Sequence, residues 1–205
     1  SMIKLCKKYD AMLMVDEAHS VGVLGETGHG VVEYFGLDID DIDIHMGTLS
    51  KTIPSVGGYI AGRKDLIFFL KHAMRSFVFS AALPPASAAA AKASFEVIQE
   101  EPERVKSLQT NVDYFIKGLQ ERGFDTLNSE TPIVPIIAGS DERAWLMAKM
   151  SQEQDIFVLP VVSPAVPVNT SRLRANVTAG HTLDEIEQAM DIFEEVGKQV
   201  GVLQG

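Results

Sequence analysis

Lys51 stands in Thr48-Leu49-Ser50-Lys51-Thr52, a hydroxyl-rich segment that follows an apolar run. Asp16 closes another apolar run, Met12-Leu13-Met14-Val15. A primary amine on a small turn can form a Schiff base with a carbonyl group, and lysines in sheltered pockets shed their proton readily enough to do so. A carboxylate at the carboxyl end of a strand stands where open α/β sheets bind ligands, and it stabilises a neighbouring cationic ring nitrogen. Together the two groups meet the demands of pyridoxal phosphate chemistry, an imine-forming lysine and an acidic partner for the pyridine nitrogen. Each alone has an ordinary reading, a solvated lysine and an aspartate that caps the next turn.

The neighbours of both groups extend this chemistry. His19, three residues after Asp16, could donate to a phenolic oxygen or move a proton; standing alone it reads as a structural histidine. Thr48 and Ser50 offer hydroxyls to a phosphate, and the small residues from Thr52 to Gly58 would let a planar ring approach the backbone. The glycine loop Gly25 to Gly30 reads as a tight turn rather than a phosphate cradle.

Positioning these groups requires a sheet. In the first half, short apolar runs alternate with helical patterns, the signature of βαβ units. Helices are expected over Lys4 to Tyr9 and Arg63 to Met74, and strands over Ala11 to Val15 (fully buried), Ile42 to Met46, Gly58 to Gly62 and Phe77 to Phe79. Pro84-Pro85 opens an alanine-rich helix, where the missing N–H costs nothing. Val105, Leu108, Val112, Phe115, Ile116 and Leu119 recur at helical spacing up to Gly123. Beyond them come the strand Ile133 to Ile137, a helix from Asp141 to Gln152, and strands over Ile156 to Leu159 and Arg172 to Val177. The closing helix starts at a capping box of Thr182 and Glu185, with Ile186, Ala189, Met190 and Phe193 as its buried stripe.

Composition narrows the function classes. The chain has 205 residues, 46% hydrophobic and 22% charged, enough for one large or two small domains. Eighteen basic against 28 acidic residues give a net charge of −10, which disfavours nonspecific nucleic-acid binding. Cys6 is the single cysteine, so no intrachain disulfide forms, and a reducing, cytoplasmic setting is expected. No apolar run reaches the roughly 20 residues of a transmembrane segment.

The strings Val15-Asp16-Glu17-Ala18-His19-Ser20, Gly22-Val23-Leu24-Gly25 with Gly28 and Gly30, Gly47-Thr48-Leu49-Ser50-Lys51 and Gly57-Gly58-Tyr59-Ile60-Ala61-Gly62 closely resemble the α-oxoamine synthases, a family of pyridoxal phosphate-dependent acyltransferases. The likeness continues through Phe79-Ser80-Ala81-Ala82-Leu83-Pro84-Pro85, Arg172-Leu173-Arg174 and Thr178-Ala179-Gly180-His181-Thr182. It implies an α/β fold of the fold-type I class, with residues 1–100 as part of the cofactor-binding large domain and 101–205 as a small α+β domain. By the same resemblance, Lys51 is the Schiff-base lysine, Asp16 the partner of the ring nitrogen, His19 the contact of the phenolic oxygen, and Thr48 a phosphate ligand. Ser80 and Ala81 fall where the family reaches the phosphate in a neighbouring subunit, which implies a homodimer with shared sites. Arg174 falls where the family grips the amino-acid carboxylate, a task its planar fork suits.

The implied reaction is condensation of an amino acid with an acyl-CoA. The long segment that the family carries ahead of Asp16 has no counterpart in these residues, so a carboxyl-terminal half that is inactive alone is expected. Two alternatives stay open, another fold-type I activity such as an aminotransferase, and a non-catalytic dimerisation fragment.

Overall fold

The structure, a computed structural model, describes residues 2–204. It divides into two units, Ser1–Val105 and Lys106–Gly205.

The first unit opens with helix α1 (Met2–Tyr9), followed by strand β1 (Met14–Asp16), a glycine loop and the short helix α2 (Val31–Tyr34). A 3-10 turn at Ile39–Asp41 leads to β2 (Ile44–Thr48) and β3 (Gly58–Gly62); helices α3 (Lys64–Ala73), α4 (Arg75–Val78) and α5 (Pro85–Glu100) complete it. The sheet order is β1-β2-β3, with β2 parallel to β1 and antiparallel to β3. A parallel pair cannot be joined by a tight hairpin, and the crossover here runs through α2.

Two expectations are corrected. The first strand is neither Ala11 to Val15 nor fully buried: it spans Met14–Asp16, and Met12 and Met14 are 59% and 56% exposed. Among the described residues, β1 has a hydrogen-bonded neighbour on one side only. Phe77 to Phe79 is not a strand either. Phe77 N and Val78 N donate to Met74 O, and Phe79 N to Arg75 O, each at 3.0 Å, so the aromatic residues wind into α4. Local backbone closure overrides their preference for extended structure.

The second unit takes up most of helix α6 (Glu103–Glu121), then β4 (Ile133–Gly139), α7 (Asp141–Gln152), β5 (Leu159–Val161), β6 (Ser171–Asn176) and α8 (Leu183–Gln199). Its sheet, ordered β4-β6-β5, is antiparallel throughout. Helix α6 stops in a Schellman motif: Phe124 N donates to Leu119 O, Gly123 N to Gln120 O, and Gly123 sits at φ 91°. Leu108, Val112, Phe115 and Leu119 of α6 are buried, as are Ile186, Met190, Phe193 and Val196 of α8, and Phe115 meets Phe193 edge-on with centroids 6.4 Å apart. The capping box of Thr182 and Glu185 forms in both directions. The expected strand from Ile156 begins instead at Leu159, because Ile156 N closes the end of α7 by donating to Ser151 O.

Candidate active site

The register of the first sheet sorts the chemistry-bearing residues. Val15 pairs with His45 and Asp16 with Met46. Side chains alternate along a strand, so Asp16, Met46 and Thr48 share one face, and His45 and Gly47 take the other. Glu17 N donates to Met46 O at 2.7 Å, which carries the ladder one residue beyond β1 and turns Glu17 toward the face of His45.

On the first face, Asp16 is exposed and its Oδ1 accepts the Ala18 N–H at 2.9 Å, a local turn that fixes the strand end. His19, also exposed, follows in that turn. Thr48 Oγ1 lies 2.9 Å from Ser50 Oγ and 3.3 Å from Gly57 O. Lys51 is exposed, and among the described residues its amine has no hydrogen bond or ion pair.

What presents Lys51 is the packing of its neighbours. Leu49 and Ile53 are 5% and 2% exposed, and they form a cluster with Ala91 of α5 against which Tyr59 and Phe95 pack. Leu49 N donates to Gly57 O and Ser55 N to Leu49 O, and Ser55 Oγ ties the turn to Ser87 O at 2.9 Å. With apolar residues drawn inward on both sides, the lysine is left outside. A Cβ on Gly57 would stand 3.2 Å from Leu83 Cδ1, so the Ser80–Pro84 segment reaches this turn through Leu83. Ser80 and Ala81 themselves are exposed, and Ser80 Oγ donates to Ser76 O.

The opposite face holds two residues that sequence reasoning missed. Glu17 is 5% exposed; its Oε2 accepts from Ser20 Oγ at 2.8 Å and Val31 N at 3.0 Å, and its Oε1 lies 3.2 Å from His45 Nδ1. A cavity of about 450 Å³ lies beside them, lined by Glu17, His45, Tyr59 and Phe95 among others. Burial, and then the charge of Glu17, push the Tyr59 hydroxyl above its ordinary pKa. Only the Glu17–Ser20 spacing was visible locally; the partner on β2 is 28 positions away.

The glycine loop is organised around a carboxylate of its own. Burial raises the Glu33 pKa, but hydrogen bonds from His29 N, from the Thr27 hydroxyl and from Thr27 N outweigh it and hold the group below the usual carboxylate range. The turn reading of Gly25 to Gly30 accords with this geometry.

Arg174 belongs to the second unit. Ser171, Leu173 and Ala175 of β6 face the core, while Arg172 and Arg174 are half-buried on the other side. Arg172 Nε donates to Thr170 O at 2.9 Å, whereas the Arg174 guanidinium has no partner among the described residues. Arg174 lies between Pro135 of β4 and Leu159 of β5.

Known proteins resemble this chain in sequence and fold. Residues 1–193 match the family described as aminotransferase class I and II. The chain is 44% identical over 201 residues to a serine palmitoyltransferase from Sphingobacterium spiritivorum, covering 98% of this chain and 50% of that protein. It is also 44% identical over 202 residues to an 8-amino-7-oxononanoate synthase from Thermoanaerobacter pseudethanolicus, covering 98% and 51%. Among solved structures, SPT with its PLP internal aldimine superposes with a TM-score of 0.93 at 33% identity, over 98% of this chain and 51% of that one. The Sphingomonas wittichii serine palmitoyltransferase gives 0.92 at 31% identity, over 98% and 51%.

The fold is therefore that of the fold-type I transferases, whose cofactor is pyridoxal 5′-phosphate. The chain belongs to the aminotransferase class I and II family. It spans about half the length of the curated relatives it matches. Its residues fit the cofactor: an unpaired amine could meet the carbonyl, a carboxylate on the same sheet face as Thr48 could meet the ring nitrogen, and the Thr48 and Ser50 hydroxyls could meet the phosphate. Among the described residues no helix is long and apolar enough to cross a membrane.

Proposed function

We propose that these residues serve a pyridoxal phosphate-dependent acyltransferase that condenses an amino acid with an acyl-CoA to give an α-oxoamine. The observation that carries the reading is the shared sheet face of Asp16 and Thr48, with the unpaired Lys51 amine three residues beyond Thr48. Bound pyridoxal phosphate supplies an electron-withdrawing ring that spreads the charge left when an amino acid loses its α-proton.

Lys51 would hold the cofactor through its amine, and its Nζ would take the α-proton of the substrate. Asp16 keeps the ring nitrogen protonated, and His19 donates to oxygen atoms at the ring and at the thioester. Thr48 binds the phosphate, and Ser80 and Ala81 reach the phosphate bound by a second copy in a homodimer. Arg174 orients the substrate carboxylate through two parallel N–H donors. Residues 1–100 contribute to the cofactor domain and 101–205 form the small domain. The single cysteine supports a cytoplasmic setting.

The test is to incubate the protein with pyridoxal phosphate, reduce with borohydride and map the adduct by mass spectrometry. A pyridoxyl group on Lys51, lost in Lys51→Ala, supports the reading; an unlabelled Lys51 in the wild type overturns it. With protein loaded with pyridoxal phosphate and left unreduced, an amino acid and an acyl-CoA should release free thiol. Amino-group transfer to a keto acid without thiol release points instead to an aminotransferase.

A further inference from the structure

Glu17 takes no part in the proposed chemistry, yet it is the most buried charged side chain of the first unit, at 5% exposed. A carboxylate removed from water is costly unless hydrogen bonds satisfy it. Its partners come from three different segments. Ser20 Oγ closes the turn that contains His19, Val31 N opens α2, and His45 Nδ1 belongs to β2, the strand that ends at Thr48. Room for this carboxylate is left by Gly30, where a Cβ would stand 2.0 Å from Glu17 Oε2.

We infer that Glu17 is a positioning residue that acts through Asp16 and His19, locking the end of β1 to β2 from the back of the sheet so that the groups on its front keep their spacing from Thr48 and Lys51. Asp16 is exposed, and the side-chain bond that fixes it reaches only two residues along the chain, to Ala18 N. Beyond the main-chain ladder, the Glu17–His45 contact is a side-chain link from this segment to β2. Alternation does the rest: fixing residue 17 behind the sheet fixes residue 16 in front of it. The inference rests on the cofactor reading above.

The experiment measures pyridoxal phosphate affinity by titration, the induced circular dichroism of the bound chromophore, and thermal unfolding without cofactor, for the wild type and Glu17→Gln. The isostere puts an amide N–H against groups that donate, and affinity should fall about tenfold or more, with a changed dichroic band. His45→Gln, which leaves the buried carboxylate its other two donors, should give a smaller loss, and the double variant should lose less than the sum. If Glu17→Gln does not fold, His45→Gln carries the test alone. A folded Glu17→Gln with wild-type affinity and dichroism, merely less stable, overturns the inference. A wild-type protein that never takes the pyridoxyl label overturns the functional reading, and the inference with it.

Discussion

The Thr52 methyl sits 2.5 Å from the point where Gly22 would carry a Cβ, so the residue after Lys51 packs into space left by a glycine three positions after His19. Gly22 also holds φ at 75°, a left-handed conformation that costs other residues roughly 1–2 kcal/mol. Gly22→Ala should therefore lower stability by at least about 1 kcal/mol and separate the two halves of the site. Urea unfolding and pyridoxyl labelling of Lys51 check this together. Wild-type values in both would mean that the contact is unimportant.

Ile53→Ala should cost about 2–5 kcal/mol, the range for emptying a fully buried aliphatic site. Ile53 is 2% exposed, and its nearest cluster partners are Leu49 and Ala91. Labelling of Lys51 should slow as well, although Ile53 touches no proposed substrate. Denaturant unfolding and the rate of adduct formation are the measurements; a loss well below 1 kcal/mol would contradict the packing.

Arg122 gathers three carboxylates of α8. Its Nη2 reaches Glu187 and lies 2.7 Å from Asp191 Oδ1, and Nε is 3.3 Å from Glu194 Oε2, with the side chain 17% exposed. The hydrogen bond to Asp191 is the largest influence raising its pKa. A lysine keeps the charge but cannot fork toward several acceptors. Arg122→Lys should destabilise the second unit by about 1–2 kcal/mol, measured by urea unfolding at low salt, with the difference from wild type shrinking as salt is added.

Acid should weaken the second unit through Asp141. Hydrogen bonds from Ser171 Oγ, and then from Ser163 N, hold its carboxyl below the ordinary aspartate value. A depressed folded-state pKa adds stability that is present above the unfolded value, about 3.9, and is lost as pH falls through the folded one. The urea midpoint of the wild type should thus drop more steeply below about pH 4 than that of Asp141→Asn. Parallel profiles would refute the assignment.

Local sequence carried a good deal of this molecule. The strand Gly58–Gly62, the helix Asp141–Gln152 and the Thr182–Glu185 capping box are all short-range features, set by alternation, periodicity and a three-residue spacing. Lys51 and Asp16 stood out only as a pair with their flanking hydroxyls and glycines, since each alone has an ordinary reading. The burial of β1 was not legible, since the apolar run Met12–Val15 does not reveal that its strand ends the sheet formed by the described residues. Phe77 to Phe79 misled because aromatic residues favour strands until a preceding helix offers them a carbonyl. Glu17 stayed hidden because a buried charge is defined by partners brought in from Val31 and His45, and no local window contains them.

The anchoring of Leu49 and Ile53 on either side of Lys51 bears on repeated turnover. A Schiff-base lysine must let go of its cofactor when the amino acid enters and recapture it when product leaves. Under the proposed function, that movement would fall to the side-chain stem of Lys51, since its neighbours Leu49 and Ile53 are held in the buried cluster.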